Sequence, residues 1–247
     1  YYMKLASNYI FLILFSLILC DLDIDNILNK SFNRLKSQDI SFDCSLKIQS
    51  VSEEAVNLKF NFSSYWLDSL NFYSYLNFLS PIDFKNTEIW SHHSDDVTVR
   101  RRMPLNNKII TIEDELEGLD IISFLKFDDM YAEIKKNEIS LKNSTYNKEN
   151  VYVIKSYKKK NKRKVVKFFI NKKDYSLMKV EWTNKRGILN KVLEFNDWQK
   201  IDEIRLSKSI IYEDIKKGTK TSCKLSNLSI KKLSNEKINL IKSGFEN

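Results

Sequence analysis

The sequence predicts a mainly β protein: a curved antiparallel sheet of about eleven strands, with one helix before the sheet and one in its middle. Three observations predict it. From Asn171 to Ser229 strand patterns follow one another with almost no helix signal. Apolar and polar residues alternate with period two from Ile40 onward, and compact turns such as Asn184 to Gly187 join the runs. Behind an export-like N-terminus, this is the layout of a carrier that wraps a sheet around something apolar, more than that of an enzyme.

The first element is an apolar run from Ile10 to Cys20 behind the single cation Lys4, with Met3 read as the start. The run is shorter than the roughly 20 residues a spanning helix needs, and its order of charged then apolar residues is that of a secretory signal. Residues 1–20 are read as a signal peptide and 21–247 as one domain. Sheet folds reach about 200–250 residues as a single unit, and no proline-rich linker, internal repeat or low-complexity segment divides the chain. Cys20 stands where a bacterial lipoprotein carries its acylated cysteine, but Leu19 occupies a place where the lipoprotein signal peptidase favours a small residue. Lipidation of Cys20 and its loss with the signal are both open.

Asp25 then caps a helix whose apolar positions Ile27, Leu28, Phe32 and Leu35 recur at helical spacing and which stops before Asp39. Ile40, Phe42, Cys44, Leu46 and Ile48 alternate with polar residues, as do Val56, Leu58, Phe60 and Phe62. In the third run Leu70, Phe72, Leu76 and Phe78 face one way, and Tyr73, Tyr75 and Asn77 the other. Glu88 to His92 and Val97 to Arg102 form a hairpin around His93 to Asp96. A short piece at Ile109 to Ile112 precedes the mid-chain helix, Glu113 to Phe127, with Leu116, Leu119, Ile122 and Leu125 as its stripe and acidic residues in its first turn. Strands follow near Tyr131–Ile139, Val151–Lys158, Lys164–Asn171, Leu177–Thr183, Ile188–Asn196, Glu203–Tyr212 and Thr219–Leu228, with Gly187 supplying the positive φ of a tight hairpin.

The net charge of +9 is almost all lysine excess, alongside many Asn, Ile, Tyr and Phe and only four Gly and two Pro. That slant follows an AT-rich genome and does not argue for nucleic acid, and stacking aromatics beyond Tyr152 and Tyr157 do not flank the basic run Lys158 to Lys164. The run reads as a solvated hairpin tip that can meet anionic lipid head groups, at about 1 kcal/mol per cation. His92 and His93 are adjacent on a strand and point to opposite faces, so no metal site is expected there. With these two histidines alone and no Ser or Cys in a nucleophile setting, no catalysis and no cofactor are expected. Cys44 and Cys223 fall on apolar strand faces, where a bridge and two separate thiols both fit.

The order of these elements resembles the LolA-like family of bacterial outer-membrane lipoprotein-sorting proteins. The residues that carry the resemblance are Ile89-Trp90, Val99-Arg100-Arg101-Arg102, Glu117-Gly118-Leu119-Asp120 and Phe127-Asp128-Asp129, then Ile170 to Tyr175, Leu177 to Trp182, Gly187, Lys191 to Phe195, Trp198 to Ile201 and Gly218 to Thr221. Two features depart from the family: His92 and His93 replace a proline, and the segment before the mid-chain helix holds only Gly118. The resemblance implies a half-barrel, strongly curved and incomplete, with a lipid-binding cavity lined here by Leu58, Phe60, Phe62, Leu70, Phe72, Leu76, Phe78 and Trp90. It implies a helical lid carrying Leu116, Leu119, Ile122 and Leu125, and Arg100 and Arg102 are expected at the rim, where guanidinium forks suit phosphate or carboxylate. The implied function is a periplasmic, non-catalytic carrier or chaperone of lipid or lipoprotein acyl chains bound for the outer membrane, served by an inner-membrane transporter and touching an anionic membrane surface. The alternatives are a periplasmic sensor on the same half-barrel that binds a membrane signalling partner, and a structural envelope protein with a filled interior.

Overall fold

The computed structural model describes residues 24–52, 54–68, 71–94, 97–104, 108–112 and 134–245. The predicted signal with Cys20, Leu70, and the mid-chain helix with Leu116, Leu119, Ile122 and Leu125 lie outside the described residues. Among the described residues there are thirteen strands rather than about eleven: β1 (Ile40–Gln49), β2 (Val56–Trp66), β3 (Phe72–Ser80), β4 (Glu88–His93), β5 (Val97–Arg102), β6 (Ile109–Ile112), β7 (Glu138–Tyr146), β8 (Glu149–Lys158), β9 (Asn161–Asn171), β10 (Leu177–Thr183), β11 (Leu189–Ile201), β12 (Ile204–Asp214) and β13 (Thr219–Ile230). The short β6 counts in full because it pairs with β5 along its length. Helix α1 covers residues 24–32 and α2 spans Asn235–Ser243.

All strands join one antiparallel sheet in the order β6-β5-β4-β3-β2-β1-β13-β12-β11-β10-β9-β8-β7. The sheet is not closed into a barrel: β6 and β7 are its two edges, and the first and last strands pair in its interior. Exposed Lys142, Asn143, Ser144 and Thr145 on β7 blunt one edge against pairing with other chains.

Register fixes what shares a face. Leu141, Ile154, Phe168, Val180, Leu193 and Tyr212 are cross-strand partners from β7 to β12. Phe195, Ile210, Cys223, Leu46 and Leu58 form the next row, and Leu225, Cys44, Phe60 and Phe78 another. The apolar side of α1, with Ile24, Ile27, Leu28 and Phe32, packs on the β8–β11 part of this inner face; Ile210 and Tyr212 join that cluster to the one around Phe60. Burying Phe60, 1% exposed, is worth roughly 1.5–3 kcal/mol.

Two sequence expectations are corrected. The strand placed at Tyr131–Ile139 begins at Glu138; residues 134–135 are helical and Ile134 is buried against α1. The β7–β8 hairpin turns at Asn147 and Lys148, both with positive φ, which sets its register without the usual glycine. Helix α2 was not expected. Ser234 caps it by accepting from the Lys237 backbone N–H, and Ile241 anchors it on the outer face of the sheet beside Tyr75 and Trp90.

Candidate apolar pocket under the first helix

The inner face is hollow where α1 ends. There a cavity of about 110 Å³ lies between the end of α1 and strands β1, β11, β12 and β13. Phe32 at the end of α1 and Leu35 in the turn after it, where the sequence had extended the helix, form one wall, and Phe42, Phe195, Ile210 and Leu225 the floor. These floor residues belong to the alternating set that faces inward, so period-two patterning in four strands builds the apolar surface. Ser31, Arg34 and Arg205 complete the wall.

Charges at this rim are organised. Arg205 makes a two-pronged pair with Glu149, Nη1 to Oε2 at 2.7 Å and Nη2 to Oε1 at 2.6 Å, and stacks over Trp198 at 4.6 Å. Asp174 stands 3.7 Å from the same guanidinium. The hydrogen bonds from Arg205 hold the Glu149 carboxyl below its usual range, against an opposing effect of burial, and those to Glu149 raise Arg205 above its own. Arg34 donates from Nη2 to the Arg205 carbonyl at 2.6 Å.

Of the residues expected to line a cavity, Leu58, Phe60, Phe62, Leu76 and Phe78 come together with Cys44, Leu46, Ile89 and Cys223 as a packed core cluster on the inner face. Phe72 is half-buried between the rings of Trp66 and His93, with centroids 4.6 and 4.1 Å away. Trp90 is on the other face. It pairs with Tyr75 while Ile89 pairs with Leu76, and strand alternation sends the indole outward, where α2 covers it and its Nε1 donates to the Leu240 carbonyl at 3.2 Å. Arg100 and Arg102 are on that outer face too. Arg102 pairs with Glu88 on β4, and Arg100 donates to the Gly244 carbonyl just past α2 at 2.9 Å, so neither stands at the inner rim. Between them, Arg101 faces inward, paired with Ile89, and its Nε is buried without a partner among the described residues. His92 and His93 stack on Tyr73 and Phe72 respectively, on opposite faces as their adjacency requires.

Sequence reasoning missed Ser31 in the last turn of α1, Arg34 in the turn that follows it, and the floor formed by Phe195, Ile210 and Leu225. Alternation marked the floor residues as inward; what placed them beside α1 and β1 is the pairing of β1 with β13, which no local pattern announces. On the outer face, a cavity of about 420 Å³ lies against α2, with polar Asp43, Asn61, Asn77 and Asn227 and apolar Phe62, Leu240 and Ile241 in its lining. Asp43 accepts from Asn61 and, at 2.6 Å, from Asn227.

A model of a family described as "Uncharacterized protein" matches residues 70–238. No curated protein matches the sequence. Among solved structures, a DUF1329 family protein from Desulfovibrio piger superposes with a TM-score of 0.66 at 18% identity, over 85% of this chain and 93% of its own. A protein described as an outer membrane lipoprotein-sorting protein domain, from Vibrio parahaemolyticus, gives 0.65 at 16% identity over 89% and 96%. A LolA superfamily protein from Nitrosomonas europaea gives 0.55 at 14% identity over 86% and 95%. At these identities the likeness is one of fold.

Proposed function

This chain belongs to the uncharacterized-protein family whose model covers residues 70–238, its fold is LolA-like, and from that premise we propose that it is a non-catalytic carrier that takes acyl chains of a lipid or lipoprotein against the inner face of its sheet. The observation that carries this reading is the apolar pocket between α1 and the floor Phe42, Phe195, Ile210 and Leu225. Each methylene buried there contributes about 0.8 kcal/mol. The cavity of about 110 Å³ holds only a few chain carbons, well below the roughly 300–1,000 Å³ of typical ligand pockets. Loading a whole chain therefore requires α1 to part from the sheet, and the hydrophobic contacts of Ile24, Ile27, Leu28 and Phe32 are the ones exchanged for the ligand. Work in the periplasm, delivery toward the outer membrane, loading by an inner-membrane transporter and contact of the exposed Lys158–Lys164 tip with an anionic surface complete the proposal.

The test is mass spectrometry of extracts from the gently purified protein, with titration of a fluorescent fatty acid. Co-purifying lipid and saturable binding are expected, and Leu225→Trp, which fills the floor, should weaken binding at least about tenfold while the circular dichroism of the sheet is kept. A protein that stays dark across a lipid panel and yields lipid-free extracts is no carrier.

A further inference from the structure

Two polar groups interrupt the apolar wall of the pocket under α1. Ser31 is 5% exposed, and its hydroxyl has no hydrogen-bond partner among the described residues. Buried hydroxyls are nearly always paired, so an orphan lining a cavity points at something that completes it. Three residues on, Arg34 lines the same cavity. Its Nη2 is engaged by the Arg205 carbonyl, and among the described residues no carboxylate lies within ion-pair distance of it. Arg205, by contrast, is already neutralised by Glu149 and Asp174.

Burial pushes the Arg34 guanidinium below its ordinary value; the charge of Arg205 acts in the same direction and that of Asp174 against it. Even so, an arginine stays protonated at neutral pH. The wall thus carries a desolvated cation with donors to spare beside a hydroxyl with nothing to bond, at the edge of an apolar floor. An anionic oxygen admitted as α1 parts from the sheet would meet both groups, and hydrogen bonds of that kind are about twice as strong as neutral ones.

We propose that Ser31 and Arg34 form an anion-accepting corner that receives the carboxylate or phosphate of a single-chain lipid, while its first carbons pack on Phe32, Phe195, Ile210 and Leu225. This rests on the carrier reading and names the class of cargo: an anionic amphiphile, not a neutral one.

The experiment is calorimetric titration of the full chain with laurate, dodecyl phosphate and dodecanol, which share a chain and differ in the head. Both anions should bind at least about tenfold tighter than the alcohol. Arg34→Met, which keeps the apolar stem, should erase that advantage and leave dodecanol within about twofold of its original affinity. Ser31→Ala, a smaller change that tests the corner even if the arginine variant does not fold, should weaken the anions severalfold and spare the alcohol. A preference for dodecyl phosphate over laurate assigns the head to a phospholipid, and the reverse to a fatty acid. Competition by inorganic phosphate alone at millimolar concentration would overturn the lipid-head assignment. Equal binding of all three ligands, unchanged by either substitution, would overturn the corner and leave the carrier reading intact. Binding of none, dodecanol included, would overturn both.

Discussion

Adding one methyl group at Gly244 should unseat α2 from the sheet. Gly244 has φ −64°, a conformation open to any residue, so its need for glycine is spatial. A Cβ there would lie 2.3 Å from Cγ of Trp90, 2.5 Å from Cδ2 and 2.7 Å from Cδ1, where ordinary contact begins near 3.4 Å. The indole would have to retreat by roughly 1 Å, and it has nowhere to go. It is 1% exposed, its Nε1 is bonded to the Leu240 carbonyl, and the Arg102 guanidinium stands 5.4 Å from its centre. The helix must therefore lift, stripping cover from Trp90 and from Ile241, also 1% exposed. Overpacking of this kind costs about 1–3 kcal/mol, and full exposure of one large apolar side chain about 1.5–3 kcal/mol. Replacing glycine by alanine in a helical conformation restores about 0.4–1 kcal/mol through the unfolded chain. Lifting the helix relieves the clash, so the two costs are alternatives, and the net for Gly244→Ala is a loss of about 1–2 kcal/mol, or a fall in Tm of roughly 2–8 °C at this chain length. Urea denaturation followed by tryptophan fluorescence, with near-ultraviolet circular dichroism of the folded variant, measures it. A variant as stable as the parent, or more so, would refute the seating of α2 on the indole.

The other two predictions concern the pocket rim and the cysteines. Glu149 has a carboxyl held below its ordinary value by Arg205, so its contribution to stability is present above the ordinary carboxylate pKa and disappears as pH falls through the lower folded value. With both side chains a quarter to a third exposed, screening limits this to about 1 kcal/mol. Glu149→Gln should lose that amount at pH 7 and flatten the acid limb of a plot of unfolding free energy against pH; a limb parallel to the parent's would refute the pairing. Cys44 and Cys223 are free and buried, and a hydrogen bond with Cys223 together with burial pushes the Cys44 thiol up. Neither should react with iodoacetamide in the native protein, whereas both should label in denaturant; rapid native labelling would contradict their burial.

Much of the strand sequence was legible because one face of each strand is buried and period two survives in the residues. The runs at β1 to β3 and the Gly187 turn, with φ +83°, are examples. Trp90 shows where this signal fails. Ile89 and Trp90 are adjacent and both apolar, so the pattern cannot say which one faces the inner core, and the answer depends on α2 covering the other side. The edge strand β7 was misplaced for a related reason: beyond Ile139 and Leu141 its residues 142–145 are polar and exposed, and carry no alternation to locate it. Ser31 and Arg34 looked like the polar side of an amphipathic helix, and only the tertiary placement of α1 makes them part of a wall.

The pairing of β1 with β13 gives the molecule an unusual dependence on its own completion. Every other neighbouring pair in the sheet also follows in sequence, so β1–β6 and β7–β13 are two meanders that can assemble locally, and a single seam between the chain's ends joins them. Along that seam Asp43 meets Asn227, 184 positions away. Contacts this distant carry the largest chain-closure entropy and come late in assembly. The pocket straddles the seam, with Ile40 and Phe42 from one side and Leu225 and Leu228 from the other. The β7–β13 meander alone carries Phe195, Ile210 and Leu225 but lacks Phe42, so the pocket floor is complete only when the last join is made.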